Sequence, residues 1–215
     1  MAGLATNQRQ APRAGNARGD RSAHAWEITV NAQYLGHLSI PNRNLRTLCE
    51  LWLAKRGSRP LPSRSEFGPG EIPAALWPMV MMLDVCRAQD RVRFRYRRVG
   101  MSFVEAVGSD PTGMFLDEVL PTPSAHTDFV SGLYLRAATR GCPIYSENLF
   151  TWGGRTGAKL TRRLILPLSH DGGEVAMLLA GHVFDYDTQQ VLAMRASTAP
   201  RALEIVPNST LSMVN

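Results

Sequence analysis

The segment Asp90–Val99 reads Asp-Arg-Val-Arg-Phe-Arg-Tyr-Arg-Arg-Val and alternates basic with apolar side chains over most of its length. A period of two is typical of a β-strand that has one buried face and one solvated face. We expect Val92, Phe94 and Tyr96 on the buried face. The compact apolar run Pro78–Val85 precedes this segment across a short polar turn, so the two segments predict an antiparallel hairpin.

Three further strand candidates lie later in the chain, at Ile144–Trp152, Ala158–Leu168 and Glu174–Phe184. The last of them is apolar on both faces, and Asp171–Gly173 before it is typical of a tight turn. A strand that is apolar on both faces must be covered twice. The sheet therefore needs helices on one face and a second cover on the other.

Helical spacing supplies candidates for both covers. Short helical pieces fall within Gly100–Pro121, and Pro123–Thr139 is the longest helical window. An earlier amphipathic helix begins after Asn44, which has the character of an N-cap, and ends at Gly57. We expect helices from 100–140 to cover one face and the first helix, or a second subunit, to cover the other.

These patterns predict an α+β fold with a five-stranded antiparallel sheet, helices on one face and the N-terminal helix on or near the other. The order is helix, two strands, several helices and three strands, and everything after the first helix follows the order of a PAS domain. The predicted division is a flexible basic tail at 1–25, the N-terminal helix and a Pro/Gly-rich connector at 26–75, the PAS-like domain at 76–186 and a C-terminal extension at 187–215.

Composition narrows the functional classes. The 215 residues carry a formal net charge of +6, mostly as arginine, so nucleic acid is a possible partner, although the arginines are scattered along the chain. The longest apolar runs are far too short to span a bilayer, so no membrane association is expected. Three widely spaced cysteines favour free thiols in a reducing cytoplasm.

Several stretches sharpen the comparison with PAS domains. As a set they resemble a family of short alphaproteobacterial PAS-like proteins, and they cover Leu51–Gly57, Leu61–Phe67, Trp77–Asp84, Phe94–Gly100 and Gly108–Gly113. The resemblance implies a PAS fold and a sensory or regulatory role. It implies no catalytic residues.

Candidate ligand-binding residues come from the inward phase of the strands and from the long helix. They are Tyr96, Arg98, His126, Tyr134 and Trp152. Arg98 is in phase with Phe94 and Tyr96, so regular alternation would bury it, and a buried guanidinium needs a carboxylate or an anionic ligand. A bulge near Gly100 would instead turn it outward.

The arginines at Arg91, Arg93 and Arg95 put positive charge on the other face of the strand, continued by Arg97. They form a candidate anion or partner site. The favoured alternative is a solvated face whose arginines pair with neighbouring acidic side chains.

His126 is a haem candidate, because haem-binding PAS proteins use a histidine in the corresponding helix. Its polar neighbours favour a surface histidine, so a haem cofactor is not expected. His170 and His182 have no partner at metal-ligand spacing, and we expect no metal site. No nucleophile-elbow or phosphate-loop pattern is present, so no catalytic residues are assigned.

The sequence thus predicts a protein that is not an enzyme. It would bind a small ligand or a signalling partner, transmit by protein contact and form a homodimer. The alternatives are a ligand-free structural adaptor and a basic nucleic-acid-binding protein.

Overall fold

The computed structural model describes residues 40–89, 91–120, 124–150, 159–185 and 201–205. In chain order the helices are α1 (Arg43–Arg56), α2 (Met101–Val107), α3 (Leu116–Val119) and α4 (Ala125–Arg140), with single 3-10 turns at Arg64–Glu66 and Ala74–Met79. The strands are β1 (Val80–Ala88), β2 (Arg91–Val99), β3 (Ile144–Phe150), β4 (Lys159–Ser169), β5 (Val175–Asp185) and β6 (Arg201–Glu204).

The strands form one antiparallel sheet in the order β2-β1-β5-β4-β3-β6. The five predicted strands and the α+β class are confirmed. β6 is an addition from the segment expected to be a C-terminal extension. It lies along β3, with Leu203 opposite Tyr145, and adds a sixth strand to the sheet.

The first hairpin differs from its prediction at two points. Pro78 lies in a 3-10 turn, and the strand begins two residues later at Val80, since proline has no N–H to donate to a ladder. Further along, the register slips: Leu83 lies opposite Tyr96, but Met82 lies opposite Arg98. This β-bulge accommodates Arg97 as an extra residue and reverses the phase of everything after it.

α1 covers one face of the sheet. Its N-cap is Asn42, two residues before the position expected, and the Asn42 side chain accepts a hydrogen bond from the Leu45 N–H at 3.1 Å. Trp52 is fully buried and its indole N–H donates to the Pro167 carbonyl at 2.8 Å. The predicted N-terminal helix on the second face is therefore confirmed, and it covers β4 and β5 within the same chain.

Helices α2 and α4 lie on the opposite face. α2 directs Phe103 toward Tyr96, and α4 directs Tyr134 toward Phe94, with ring centroids 6.0 and 5.7 Å apart. Side chains from α4 and from the sheet meet between these two layers. Among the helices of the described ranges, none is long and apolar enough to cross a bilayer.

Candidate functional site

Five polar side chains are buried between α4 and the central and far strands of the sheet. Each is at most 3% exposed, and we call them the buried polar cluster: Tyr134, Ser146, Asn148, Arg163 and His182. A core position of this kind is ordinarily apolar, because removing a polar group from water is costly unless it is hydrogen-bonded.

Strand register brings the cluster together. Arg163 of β4 lies directly opposite His182 of β5 on one side and Ser146 of β3 on the other. Directly opposed residues of antiparallel strands project from the same face of the sheet. Asn148, two residues after Ser146, shares that face, and Tyr134 reaches it from α4.

Hydrogen bonds link every member of the cluster. The Arg163 Nε–H donates to Nε2 of His182 at 3.2 Å, and its Nη1 donates to Ser146 Oγ at 3.3 Å and to Asn148 Oδ1 at 3.2 Å. The Tyr134 hydroxyl lies 3.1 Å from the same His182 nitrogen. All of these partners of Arg163 are neutral groups.

Because Arg163 donates to Nε2, that nitrogen must be an acceptor, and the proton of the neutral imidazole belongs on Nδ1. Burial, and then the charge of Arg163, hold the pKa of His182 well below its ordinary value. The Nδ1 atom is itself buried and has no hydrogen-bond partner within the described ranges, and the same holds for Oγ1 of Thr161. Two polar atoms near the cluster therefore remain unsatisfied.

Aromatic rings surround the cluster. The Phe103 ring meets His182 edge-on, with centroids 5.4 Å apart, and lies 6.0 Å from Phe184. Burial raises the pKa of Tyr134 to about 12 and that of Tyr96 well above its usual value, so both hydroxyls are neutral at physiological pH. The site thus combines one cation, neutral hydrogen-bonding groups and apolar walls.

The structure brings two of the five proposed ligand residues to this site. Tyr134 belongs to the cluster, and Tyr96 is buried beside Phe103. His126 is half-buried in the first turn of α4, where burial and then Arg163 lower its pKa. Trp152 lies outside the described residues. That any of them binds a ligand stays a prediction.

Arg98 does not project from the face that carries Phe94 and Tyr96, as regular alternation would require. The bulge at Arg97 turns it outward, and the exposed guanidinium lies 4.2 Å from the centroid of the Trp77 ring. A cation on an aromatic face accounts for its position. The outward turn given as the alternative is therefore present, and the bulge that causes it lies at Arg97.

The other arginines of β2 are mostly paired with acidic neighbours. Arg93 binds Asp117 and Glu118 of α3 at 3.0 and 2.9 Å and lies over the ring of Phe115. Asp84 is shared by Arg95, at 3.7 Å, and Arg97, at 2.9 Å. Arg91 is exposed at the start of the strand. This is the arrangement that the solvated-face alternative predicts.

Sequence reasoning missed the central residue of the site. It identified Ala158–Leu168 only as a strand candidate and singled out none of its residues, whereas Arg163 falls in the phase opposite to Leu164 and Leu166. His182 was considered only as a metal ligand. Within the described ranges, no three His, Cys, Asp or Glu side chains gather as a metal ion requires. An Arg and a His inside two otherwise apolar strands were the signal available.

The strand order β2-β1-β5-β4-β3, with α2 to α4 inserted between β2 and β3, defines a PAS-like α+β domain. No protein-family model matches the chain, and no curated protein matches it. Among solved structures it is similar to the PAS domain of Bordetella pertussis BvgS, with 15% identity and a TM-score of 0.41 over 55% of this chain and 84% of that chain.

Proposed function

We propose that this protein is a sensory or regulatory PAS domain that binds a small ligand at the buried polar cluster and signals by contact with another protein. The observation that carries the proposal is a buried cation with polar neighbours at the interface of α4 and the sheet. Plain packing would place apolar side chains there. Buried polar groups at such a position are typical of a binding site.

A route for the signal leads from the cluster to the surface. Arg163 holds Ser146 on β3, and β3 carries β6 with Ala202 opposite Ser146. Glu204 of β6 in turn lies 3.6 Å from Arg136 and 3.1 Å from Arg140 of α4. A ligand that repositions Arg163 would therefore act on β6 and α4 together. A preference for one conformer of 1–3 kcal/mol gives roughly 5–150-fold coupling.

A ligand-free structural adaptor is the second candidate, and one observation favours it. The cluster is hydrogen-bonded among its own members, so Arg163 is partly satisfied without a ligand. Nucleic-acid binding has less support, because Arg93, Arg95 and Arg97 are already engaged by carboxylates. The homodimer and the cytoplasmic location remain part of the proposal, and the three free cysteines fit a reducing compartment.

The test begins with the freshly purified full chain. Native mass spectrometry should show a bound small molecule, and thermal unfolding with a metabolite library should yield ligands that raise the melting temperature. Light scattering with and without such a ligand checks the dimer. An absence of both bound mass and stabilising ligands would leave the adaptor as the better description.

Nucleic-acid binding is tested separately. It requires affinity for DNA or RNA that falls steeply with salt and that is lost on removal of residues 1–25. That result would displace the sensor proposal.

A further inference from the structure

We propose that the ligand of the buried polar cluster is a small monocarboxylate with an apolar body, and that Arg163 is its counter-ion. This inference rests on the proposed function and adds the chemical class of the ligand. The fold does not specify the chemical class of the ligand, because one fold can carry binding sites with different side chains.

The charge of Arg163 has no counter-ion among the described residues. Arg163 is 3% exposed, and no carboxylate of the described residues lies within ion-pair distance of it. Burial lowers the pKa of its guanidinium, which shows the cost of the uncompensated charge. Buried charges in proteins are nearly always paired, so the site is electrostatically incomplete.

The nearest acidic groups of β3 and β5 cannot supply the pair. Glu147 and Asp185 project from the opposite face of the sheet, where they bind Arg162 at 3.1 and 2.9 Å. Consecutive residues of a strand point to opposite faces, so Arg162 has acidic partners and Arg163 has none from these strands. Of these two adjacent arginines, Arg163 is therefore the one without an anionic partner among the described residues.

The net charge of the buried polar cluster limits the charge of its ligand. His182 is held neutral by burial and by Arg163, Tyr134 is neutral, and Ser146 and Asn148 carry no charge. The pKa of His126 is also lowered. The cluster thus holds one positive charge and neutralises one negative charge. A carboxylate supplies one, whereas a phosphate dianion would leave an excess in a buried site.

Hydrogen-bond donors and aromatic rings both lie at the cluster. A carboxylate has two oxygens that accept several hydrogen bonds. The guanidinium, the Nδ1–H of His182 and the hydroxyl of Thr161 are donors in the right number, and the last two lack partners among the described residues. Phe103, Tyr96 and Phe184 supply aromatic surface for the rest of the molecule. An apolar body attached to the carboxylate fits these walls.

The experiment compares matched pairs of probes on the full chain by calorimetry and thermal unfolding. Aliphatic, aromatic and heteroaromatic monocarboxylates, such as butyrate and benzoate, are each paired with the primary amide of the same shape, and inorganic phosphate is added as a further anion. At least one carboxylate should bind, and its amide should bind about tenfold more weakly or worse, because the charge-assisted bond is lost.

Variants then locate the binding site. Arg163→Met removes the charge at similar length and should weaken carboxylate binding by about tenfold or more. Arg43→Met removes an exposed arginine at the start of α1, on the other face of the sheet, and should leave binding unchanged. If Arg163→Met does not fold, Arg163→Gln, which removes the charge and keeps polar groups, and Thr161→Val are measured instead, and both should weaken the carboxylate more than its amide.

The outcomes separate the two proposals. Equal binding of carboxylate and amide, preference for phosphate, or a neutral molecule as the co-purified ligand overturns the carboxylate inference and leaves ligand sensing in place. Carboxylate binding that survives Arg163→Met, or Arg163→Gln where Arg163→Met does not fold, also overturns it. If the chain binds none of the probes and carries no co-purified molecule, both proposals fail.

Discussion

At the residue scale, Arg163 and His182 set the chemistry of the core. Burial lowers the pKa of both side chains, and the positive charge of Arg163, whose Nε lies 3.2 Å from Nε2 of His182, lowers the pKa of His182 further. The arginine stays protonated because its ordinary pKa is several units higher than that of histidine. The histidine therefore stays neutral and accepts the hydrogen bond. The same reasoning makes the folded state sensitive to acid.

We expect acid to unfold the protein through His182. Its pKa is depressed in the folded state, so its contribution to stability is complete above the unfolded value, about 6.5, and is lost as pH falls toward the folded pKa. Arg163 and the Tyr134 hydroxyl face it, and neither can compensate a new positive charge. Between pH 7 and 5 the wild-type free energy of unfolding should fall faster than that of His182→Gln, by up to about 1.4 kcal/mol per pH unit.

Urea unfolding at several pH values measures this slope. His170→Gln, which changes an exposed histidine, serves as the control and should follow the wild type. His126 titrates in all three proteins and cancels in the comparison. Parallel slopes for wild type and His182→Gln would contradict the assigned protonation state.

At the element scale, the docking of α1 on the sheet decides how the second face is covered. Leu45, Leu48 and Trp52 are fully buried on that face, and Gly181 of β5 lies directly beneath the two leucines. The absence of a side chain at Gly181 lets the helix approach the strand closely. α1 therefore supplies in the same chain the cover that a second subunit would otherwise have to provide.

Gly181→Ala should destabilise the protein by about 1–3 kcal/mol, the usual cost of overpacking a core. The added Cβ would meet Leu45 Cδ2 at 2.7 Å, Leu48 Cδ2 at 3.0 Å and Met79 Cε at 3.2 Å. These are side-chain ends that can yield partly, so the protein should still fold. Thermal and urea unfolding give the value.

The matched control is Gly132→Ala within α4, where a Cβ meets nothing within 4 Å. There alanine should stabilise by about 0.5–1 kcal/mol, because it is the better helix former. If both substitutions shift stability in the same direction, the close approach of α1 to β5 is wrong.

At the scale of the whole molecule, the sheet is a platform with different layers on its two faces. α1 lies on one face, and α2 and α4 lie over the buried polar cluster on the other. The β2 edge is also partly covered. The N–H of Gly113 donates to the Tyr96 carbonyl at 2.7 Å, and the Tyr96 N–H donates to the Met114 carbonyl at 2.9 Å. Covered edges reduce pairing with other chains.

Removal of residues 1–57 should therefore damage the whole fold. The apolar face of β4 and β5 would lose its cover, and an exposed patch of that kind drives association. We expect aggregation or loss of the cooperative unfolding transition, measured by light scattering and calorimetry.

A chain that lacks only residues 1–25, the predicted basic tail, should keep the wild-type melting temperature. A chain without α1 that does not aggregate and that unfolds cooperatively would show that the sheet does not depend on this cover.

Local pattern was enough to identify most of the elements. The period of two in Asp90–Val99, the double apolar phase of Glu174–Phe184 and the helical spacing after Asn44 depend on neighbours in sequence, and each gave its element within a few residues. The need to cover both faces of the sheet followed from the same patterns. β6 escaped prediction, because a four-residue edge strand is stabilised by pairing with β3 and has little pattern of its own.

By itself, the sequence determined the order of the five main strands and the helices, the PAS-like class and the need for a cover on each face of the sheet. Side-chain period and chain order carry that information, since they act between residues close in sequence. Only the tertiary structure decided the site. The bulge at Arg97 turned Arg98 outward, and register across three strands placed Arg163 between Ser146 and His182. Which side chains meet across strands depends on pairing between distant segments, and periodicity within one segment cannot specify it.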